Sequence, residues 1–521
     1  MINKSMLLAM TCGLSLAFMS CENQKFNDTY ADAERVHLDT LSAEMQKVRD
    51  YVPELAVVAH RGSTYWAPEE TESAYRWARE TGADYLEADL QVSKDGVILA
   101  LHDTDLKRTT NIEDVFGERF PEAERYYYYR HLLNYSEEEA KARIEDDKEA
   151  FVPNYPCSYT YYELLMLDAG SWFNQDATSA EQARTGFETD YQYISTLEDL
   201  IMYSKGYRLA RYGVDNAFNA NNNAVRYWRK WDMRNGEGTA VADSARNHRV
   251  VVSLTAHPDE TFSNPVNYLR DGTALTETVV DYIFEYVEDE KHSGNIPGIY
   301  IEFKEPWLNP STFEQMVYDE LAAIEHMNII EEPCADDVPF YTESGFVNVG
   351  NTNGKVILQT FSMQSLARAQ GIFKGQVPMC FLLWKGTAAT DLQNDDPQGY
   401  ASFINLGIEL GAHYMGPSIA GAPNNYDELN YPWQHDMIHR AKMENHPYSF
   451  DTYDQMAKYF GLYNWGTEGG TRYEAPYLDA FFTNHTDMSL QFMYDHEFRD
   501  ASLHHAVPDA RQLLDELGYE R

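Results

Sequence analysis

LAVVAHRGSTYWAPEETESAYRWARETGADYLEADLQVSKDGVILALHD, residues 55–103, decides how the rest of this chain reads. Leu55-Ala56-Val57-Val58-Ala59 is a short unbroken apolar run, the pattern of a buried strand. A helical stretch follows from about Glu70 to Thr81, with Ala74, Trp77 and Ala78 on one face. A second strand is expected over residues 85–92 and a third over 97–101, linked by the turn Lys94-Asp95-Gly96.

Polar residues stand where buried strands should simply stop. The first run ends in His60-Arg61-Gly62 and the third in His102-Asp103. Glu87 and Asp89 lie two apart in the second, so both side chains leave the same face. A fourth strand over residues 299–303 repeats this arrangement with Glu302 and Lys304.

Further apolar runs lie at residues 356–358, 379–383, 412–415, 462–465 and 478–482, with helical patterns between them. Helices are signalled by Ser195-Thr196-Leu197-Glu198, by Ser311-Thr312-Phe313-Glu314 after Pro310, and by Ala510, Leu513, Leu514 and Leu517 near the end. Strands alternating with helices predict an α/β fold with a parallel sheet, a TIM-type (β/α)8 barrel with insertions. Nine candidate strands compete for eight places, so one of the later runs is surplus. Insertions are placed near 105–195, which carries the run Tyr126 to Tyr129, and near 206–295. The second includes the Asn-rich residues 215–223 and an expected helix over 279–287.

In a closed barrel with helices outside, the alternate face of each strand points inward. Carboxylates there are costly unless a metal or another cation satisfies them. One such pair alone would read as a solvated face; four strand ends together read as a site.

The chain of 521 residues carries 83 acidic and 41 basic side chains, a formal charge of −42. Such a surface repels nucleic acid and anionic headgroups, which need clustered Lys and Arg. An anionic ligand could bind only where a few identifiable cations or a metal reverse the local potential. At the N-terminus, Lys4, an apolar run from Met6 to Phe18 and small Ser20 precede Cys21, the pattern of a signal peptide. The ending Phe18-Met19-Ser20-Cys21 resembles a bacterial lipobox, in which the Cys is lipidated. The expected organisation is a lipoprotein signal over 1–20, a tether over 21–50 and a barrel over 51–521. Cys157, Cys334 and Cys380 have no metal-ligand spacing and are assigned no chemistry. His413, His435, His439 and His504-His505 are read as structural for the same reason.

His60-Arg61-Gly62, Pro68-Glu69-Glu70-Thr71, Gly82-Ala83-Asp84-Tyr85-Leu86-Glu87-Ala88-Asp89, Lys94-Asp95-Gly96 and His102-Asp103 resemble, in order, the signature of glycerophosphodiester phosphodiesterases. Ile301-Glu302-Phe303-Lys304 looks like that family's second metal-and-phosphate segment, and Gln359-Thr360-Phe361 echoes a later strand. The Glu-Phe-Lys-Glu-Pro-Trp run is most similar to the periplasmic branch. The resemblance is dense over residues 56–110 and sparse elsewhere. Glu70 stands where Asn is usual, and Thr483-Asn484 where Thr-Asp is common.

The resemblance implies that Glu87, Asp89 and Glu302 bind a divalent cation, Ca²⁺ in preference to Mg²⁺, which suits three hard oxygen ligands. It implies that Arg61 and Lys304 grip the phosphodiester and that His60 and His102 form an acid–base pair. Trp66 and Trp307 are candidates for stacking on the alcohol group. The implied reaction is hydrolysis of a small glycerophosphodiester to glycerol 3-phosphate and an alcohol. Alternatives are a barrel phosphodiesterase for a phospholipid, phosphoinositide or teichoic-acid-like diester, or a non-catalytic surface-binding lipoprotein. The expected location is the bacterial cell envelope, in the periplasm or on the outer membrane, with membrane contact only through lipid on Cys21.

Overall fold

Four small or β-branched residues, Ala56–Ala59, form β1 and are buried throughout. In this computed structural model the described residues are 28–117, 120, 122–127, 129–130, 135–150, 154–173, 192–210, 229–234, 246–252, 278–284, 286–304, 306, 308–324, 327, 329–385, 396–462, 476–500 and 507–519. The other strands of the main sheet are β2 (Tyr85–Val92), β3 (Ile98–Ala100), β4 (Gly298–Phe303), β5 (Val356–Thr360), β6 (Met379–Leu383), β7 (Tyr414–Pro417), β8 (Glu444–Asn445) and β9 (Ala480–Thr483). Their order is β8-β7-β6-β5-β4-β2-β1-β9, with β3 attached to β2 off this path. This is the nearly closed, eight-stranded parallel sheet of an α/β barrel. Strands β2 and β4 are buried along their whole length, as parallel strands covered on both faces must be.

β3 is a surplus strand, outside the eight parallel places. It pairs antiparallel with β2, placing Leu90 opposite Ala100 and Val92 opposite Ile98. Five residues separate the two strands, and a parallel crossover needs a dozen or more. The eighth barrel place belongs to β8, whose two residues are too few to leave a periodic signal. The run expected at 462–465 lies outside the described residues beyond Leu462.

The described chain groups into two compact units. One comprises residues 58–358, 371–377 and 484–521. Its helices include α2 (Glu72–Thr81), α3 (Leu197–Ser204), α4 (Phe313–Ala323), α9 (Thr486–Asp495) and α10 (Ala510–Leu517). Thr71 caps α2 at its start and Gly82, at φ 104°, ends it in the left-handed conformation. All ten residues of α2 are buried, polar ones included. Burial of Arg76 and Arg79 is tolerated because Asp289 accepts from both guanidinium groups, at 2.7 Å for each of two Arg76 nitrogens. Thr196 and Asp199 form the capping box of α3, one position later than the sequence pattern placed it.

The described residues of 279–287 form strands, not the expected helix. Thr278–Phe284 is the central strand between Arg229–Arg234 and Arg246–Val252, and Tyr286–Glu288 pairs with Tyr207–Leu209. The segment's β-branched and aromatic residues suit these ladders, so cross-strand pairing overrides the helical spacing.

The second unit comprises residues 1–57, 359–370 and 378–483. It holds α1 (Ala43–Arg49), α6 (Pro397–Glu409), α7 (Pro432–Arg440) and α8 (Tyr453–Tyr459), while α5 spans Met363–Phe373. Among the described residues, Cys157, Cys334 and Cys380 form no disulfide. Among the described residues no helix is long and apolar enough to cross a membrane.

Candidate active site

The site stands at the carboxyl ends of β1, β2 and β4, where barrel loops carry chemistry. Asp89 and Glu302 are register partners in the β2–β4 ladder, and Glu87 lies opposite Tyr300 two residues earlier. Carboxylate oxygens of Glu87, Asp89 and Glu302 come within 4.8 Å of one another, and the three residues are only 1%, 1% and 6% exposed. Two such charges repel by on the order of 3 kcal/mol at an effective dielectric near 20.

Two cations oppose that repulsion. Arg61 Nε lies 3.2 Å from Asp89, and its backbone N–H donates to Glu87 at 2.7 Å. Lys304 Nζ lies 3.4 Å from Glu302 and 3.7 Å from Asp89. Burial pushes the Asp89 carboxyl up, but Lys304, His102 and Arg61 together hold it well below the usual range. Burial and the Asp89 charge drive Glu87 up, and Glu302 is raised chiefly by burial, Lys304 opposing. Arg61 stays a cation despite burial because Glu69, Asp89, Glu87 and Glu70 surround it.

Glu70 was not identified from sequence. Its carboxylate accepts from the Asp89 backbone N–H at 3.0 Å and from the Tyr75 hydroxyl, and burial beside Asp89 and Glu87 raises its pKa. Four carboxylates (Glu70, Glu87, Asp89, Glu302) thus face two cations, an excess of two negative charges if all ionise. One divalent cation would balance it, and hard oxygen donors are what Ca²⁺ or Mg²⁺ takes. The Asp89 Oδ2–Arg61 Nε contact is buried on both sides yet not aligned as a hydrogen bond. The residues present therefore fit such an ion.

His60 and His102 flank this cluster. His60 Nδ1 is 2.6 Å from Asn484 Oδ1, and the charges of Arg61, Asp89 and His102 all act on the ring. Burial first, then Arg61, pushes its pKa down to about 3. His102 Nδ1 is 2.6 Å from Asp103 Oδ1; its pKa is also lowered, mainly by burial and the Arg61 and Lys304 charges. Asp103 bonds onward to Arg108, which reaches Glu69 at 3.0 Å. Gln91 fixes the His102 loop by donating to the carbonyls of Leu101 at 2.6 Å and Asp103 at 2.8 Å.

The turn after β1 is strained to aim these groups. Arg61, Gly62 and Ser63 all have positive φ (51°, 82° and 71°). A Cβ on Gly62 would lie 2.8 Å from that of Ala74, so only glycine lets the turn pack onto α2. The next loop is tied to the segment after β9. Tyr65 N–H donates to the Asn484 carbonyl at 2.9 Å, Trp66 donates to Asp487 at 3.1 Å, and Tyr65 stacks on His485. Trp66 is therefore held by a carboxylate at its indole N–H, and Trp307 lies outside the described residues.

All seven residues singled out in the sequence are brought into this one cluster. Glu69, Glu70, Gln91, Arg108 and Asn484 were not assigned to it; the signal for Glu69 and Glu70 was their place in the Pro68–Thr71 motif. Asn484 joins from 424 positions away, a closure no local pattern announces.

The glycerophosphoryl diester phosphodiesterase family model matches residues 60–259. A Bacillus subtilis glycerophosphodiester phosphodiesterase is 46% identical over 121 residues, 23% of this chain and 28% of that one. A Mus musculus glycerophosphoinositol inositolphosphodiesterase is 30% identical over 161 residues, 30% of this chain and 24% of that one. The chain thus spans about a quarter of the length of these curated relatives. A solved Oleispira antarctica phosphodiesterase in complex with sn-glycerol-3-phosphate is similar over 85% of this chain and 97% of its own, at 14% identity and TM-score 0.38. Residues 60–259, which hold five of the seven clustered residues, are thus similar to the glycerophosphoryl diester phosphodiesterase family.

Proposed function

We propose that this protein is a divalent-cation-dependent phosphodiesterase that hydrolyses small glycerophosphodiesters to glycerol 3-phosphate and an alcohol. The observation that carries this reading is the buried triad Glu87, Asp89 and Glu302, flanked by Arg61, Lys304 and two histidines whose Nδ1 atoms are already engaged. Glu87, Asp89 and Glu302 would hold the cation, which when bound supplies positive charge beside the phosphoryl oxygens.

Arg61 and Lys304 place two fixed cations at the same point, so a phosphodiester can be drawn in despite the acidic surface. Asn484 and Asp103 each accept from a histidine Nδ1–H, which turns Nε2 of each ring to the proton transfer, bare in the base and protonated in the acid. One ring, neutral, takes a proton from the attacking oxygen at its Nε2, while the other, entering as imidazolium, delivers its Nε2 proton to the departing alkoxide as its bond to phosphorus breaks. Asp103, backed by Arg108, holds its ring in the working tautomer, the part a carboxylate plays in other histidine sites.

The same proposal includes export and lipidation at Cys21, with Ca²⁺ as the resident ion. The test is phosphorus NMR of the full chain with glycerophosphocholine, glycerophosphoethanolamine and glycerophosphoinositol. Release of glycerol 3-phosphate from any of them, lost in His102→Ala, supports the reading. A phosphorylated alcohol as product, or no turnover of the panel by folded protein, rejects it.

A further inference from the structure

A second group of metal-ligating side chains lies outside this site, in the unit that holds α7. His435 and His439 are four apart on α7, so one helix face presents both rings, their centroids 4.0 Å apart. Asp479, the residue before β9, turns its carboxylate to the same point. His439 Nε2 is 2.8 Å from Asp479 Oδ2, and one donor atom from each of the three residues lies within 4.8 Å of the others.

We propose that His435, His439 and Asp479 form a separate binding site for a borderline divalent cation of the Zn²⁺ type. Two imidazoles and one carboxylate are a zinc donor set, whereas the all-oxygen triad of Glu87, Asp89 and Glu302 suits a hard ion. The two sites therefore select different metals.

The surroundings prepare the ligands. The Asn445 backbone N–H donates to Asp479 Oδ2 at 2.8 Å. Outer bonds of this kind orient the ligands of metal sites. His435 is 4% exposed. Arg49, whose charge acts on His439, is engaged by Asp50 at 2.6 Å and Glu444 at 3.4 Å. Arg440 donates instead to the carbonyls of Ala33 and Val36.

The site is reachable. The His439 side chain is 43% exposed and forms part of the wall of a cleft of about 350 Å³ that Tyr30, Glu34, Trp433 and Asp436 also line. Three protein ligands leave a fourth position, and the cleft gives water or an incoming ligand atom access to it.

The test uses the full chain, stripped with chelator and then dialysed against Zn²⁺ or Co²⁺. Metal content is read by atomic emission and coordination by the visible Co²⁺ spectrum. One equivalent of Zn²⁺ should be retained in the wild type and in Glu302→Gln. His439→Gln and Asp479→Asn should each weaken binding at least about tenfold and abolish the low-symmetry Co²⁺ spectrum. Both residues are partly exposed, and metal-free melting curves show whether each variant folds; either one, folded, suffices. Zinc lost in Glu302→Gln but kept in His439→Gln would place it among the carboxylates and overturn the proposal. So would unchanged zinc content in both His439→Gln and Asp479→Asn, or no zinc bound by the wild type.

Discussion

Asp89 and Glu302 lie directly opposite each other on two parallel strands, both buried, yet their carboxyls are driven in opposite directions. Lys304, His102 and Arg61 hold Asp89 ionised, while burial beside Asp89 pushes Glu302 toward its protonated form. The pair is a conflict that an ion would resolve. Without metal, Glu302→Gln should therefore melt within about 2 °C of the wild type, because Gln mimics the protonated acid. Saturating Ca²⁺ should stabilise the wild type by about 2.7 kcal/mol at one hundred times Kd, and the variant by little. Calorimetry with and without Ca²⁺ measures both.

The contact between His102 and Asp103 predicts a tautomer effect. Asp103→Asn keeps the size of the side chain but can offer its N–H to Nδ1, stabilising the wrong ring tautomer. Turnover should fall by roughly a hundredfold or more, with KM little changed. Steady-state kinetics at neutral pH would show it; an unchanged kcat would remove Asp103 from the mechanism.

Gly62 supplies a stability prediction. Gly62→Ala would force a Cβ to within 2.9 Å of the Ala74 backbone at a φ of 82°. Overpacking and left-handed strain together should cost about 2–4 kcal/mol in urea unfolding. Activity should fall with it, since the adjoining Arg61 and His60 are aimed by this turn.

Acid sensitivity should trace in part to His413. The ring is fully buried, its Nδ1 accepts from the Met379 N–H at 3.1 Å, and burial lowers its pKa to about 4. A folded-state value below the unfolded one means the unfolded chain takes up the proton first as pH falls. The contribution is complete above pH 6.5 and lost as pH drops through about 4, amounting to about 3 kcal/mol. His413→Asn should flatten the fall in melting temperature over that window; an unchanged slope would show that His413 does not carry it.

The barrel and the inner cluster were legible for specific reasons. Glu87 with Asp89, and Glu302 with Lys304, keep the two-residue period of a strand, so the face they share could be read directly. Strand β8 is not legible, because two residues hold no period, and the run of β3 looks like a barrel strand although its five-residue link to β2 is too short for a parallel crossover. Residues 279–287 satisfied a helical spacing that their β-branched composition contradicted. The His435–His439 spacing was present in the sequence, but its third member, Asp479, arrives from 40 positions away and only the fold supplies it.

The most direct test of the central claim is glycerol 3-phosphate release from glycerophosphocholine by chelator-stripped full chain, with Ca²⁺ or Mg²⁺ restored and Glu87→Ala alongside. Release that returns with the ion and stays absent in Glu87→Ala is the predicted result. Full activity after stripping, or equal activity in Glu87→Ala, would contradict the assignment of the buried carboxylates as the working metal site.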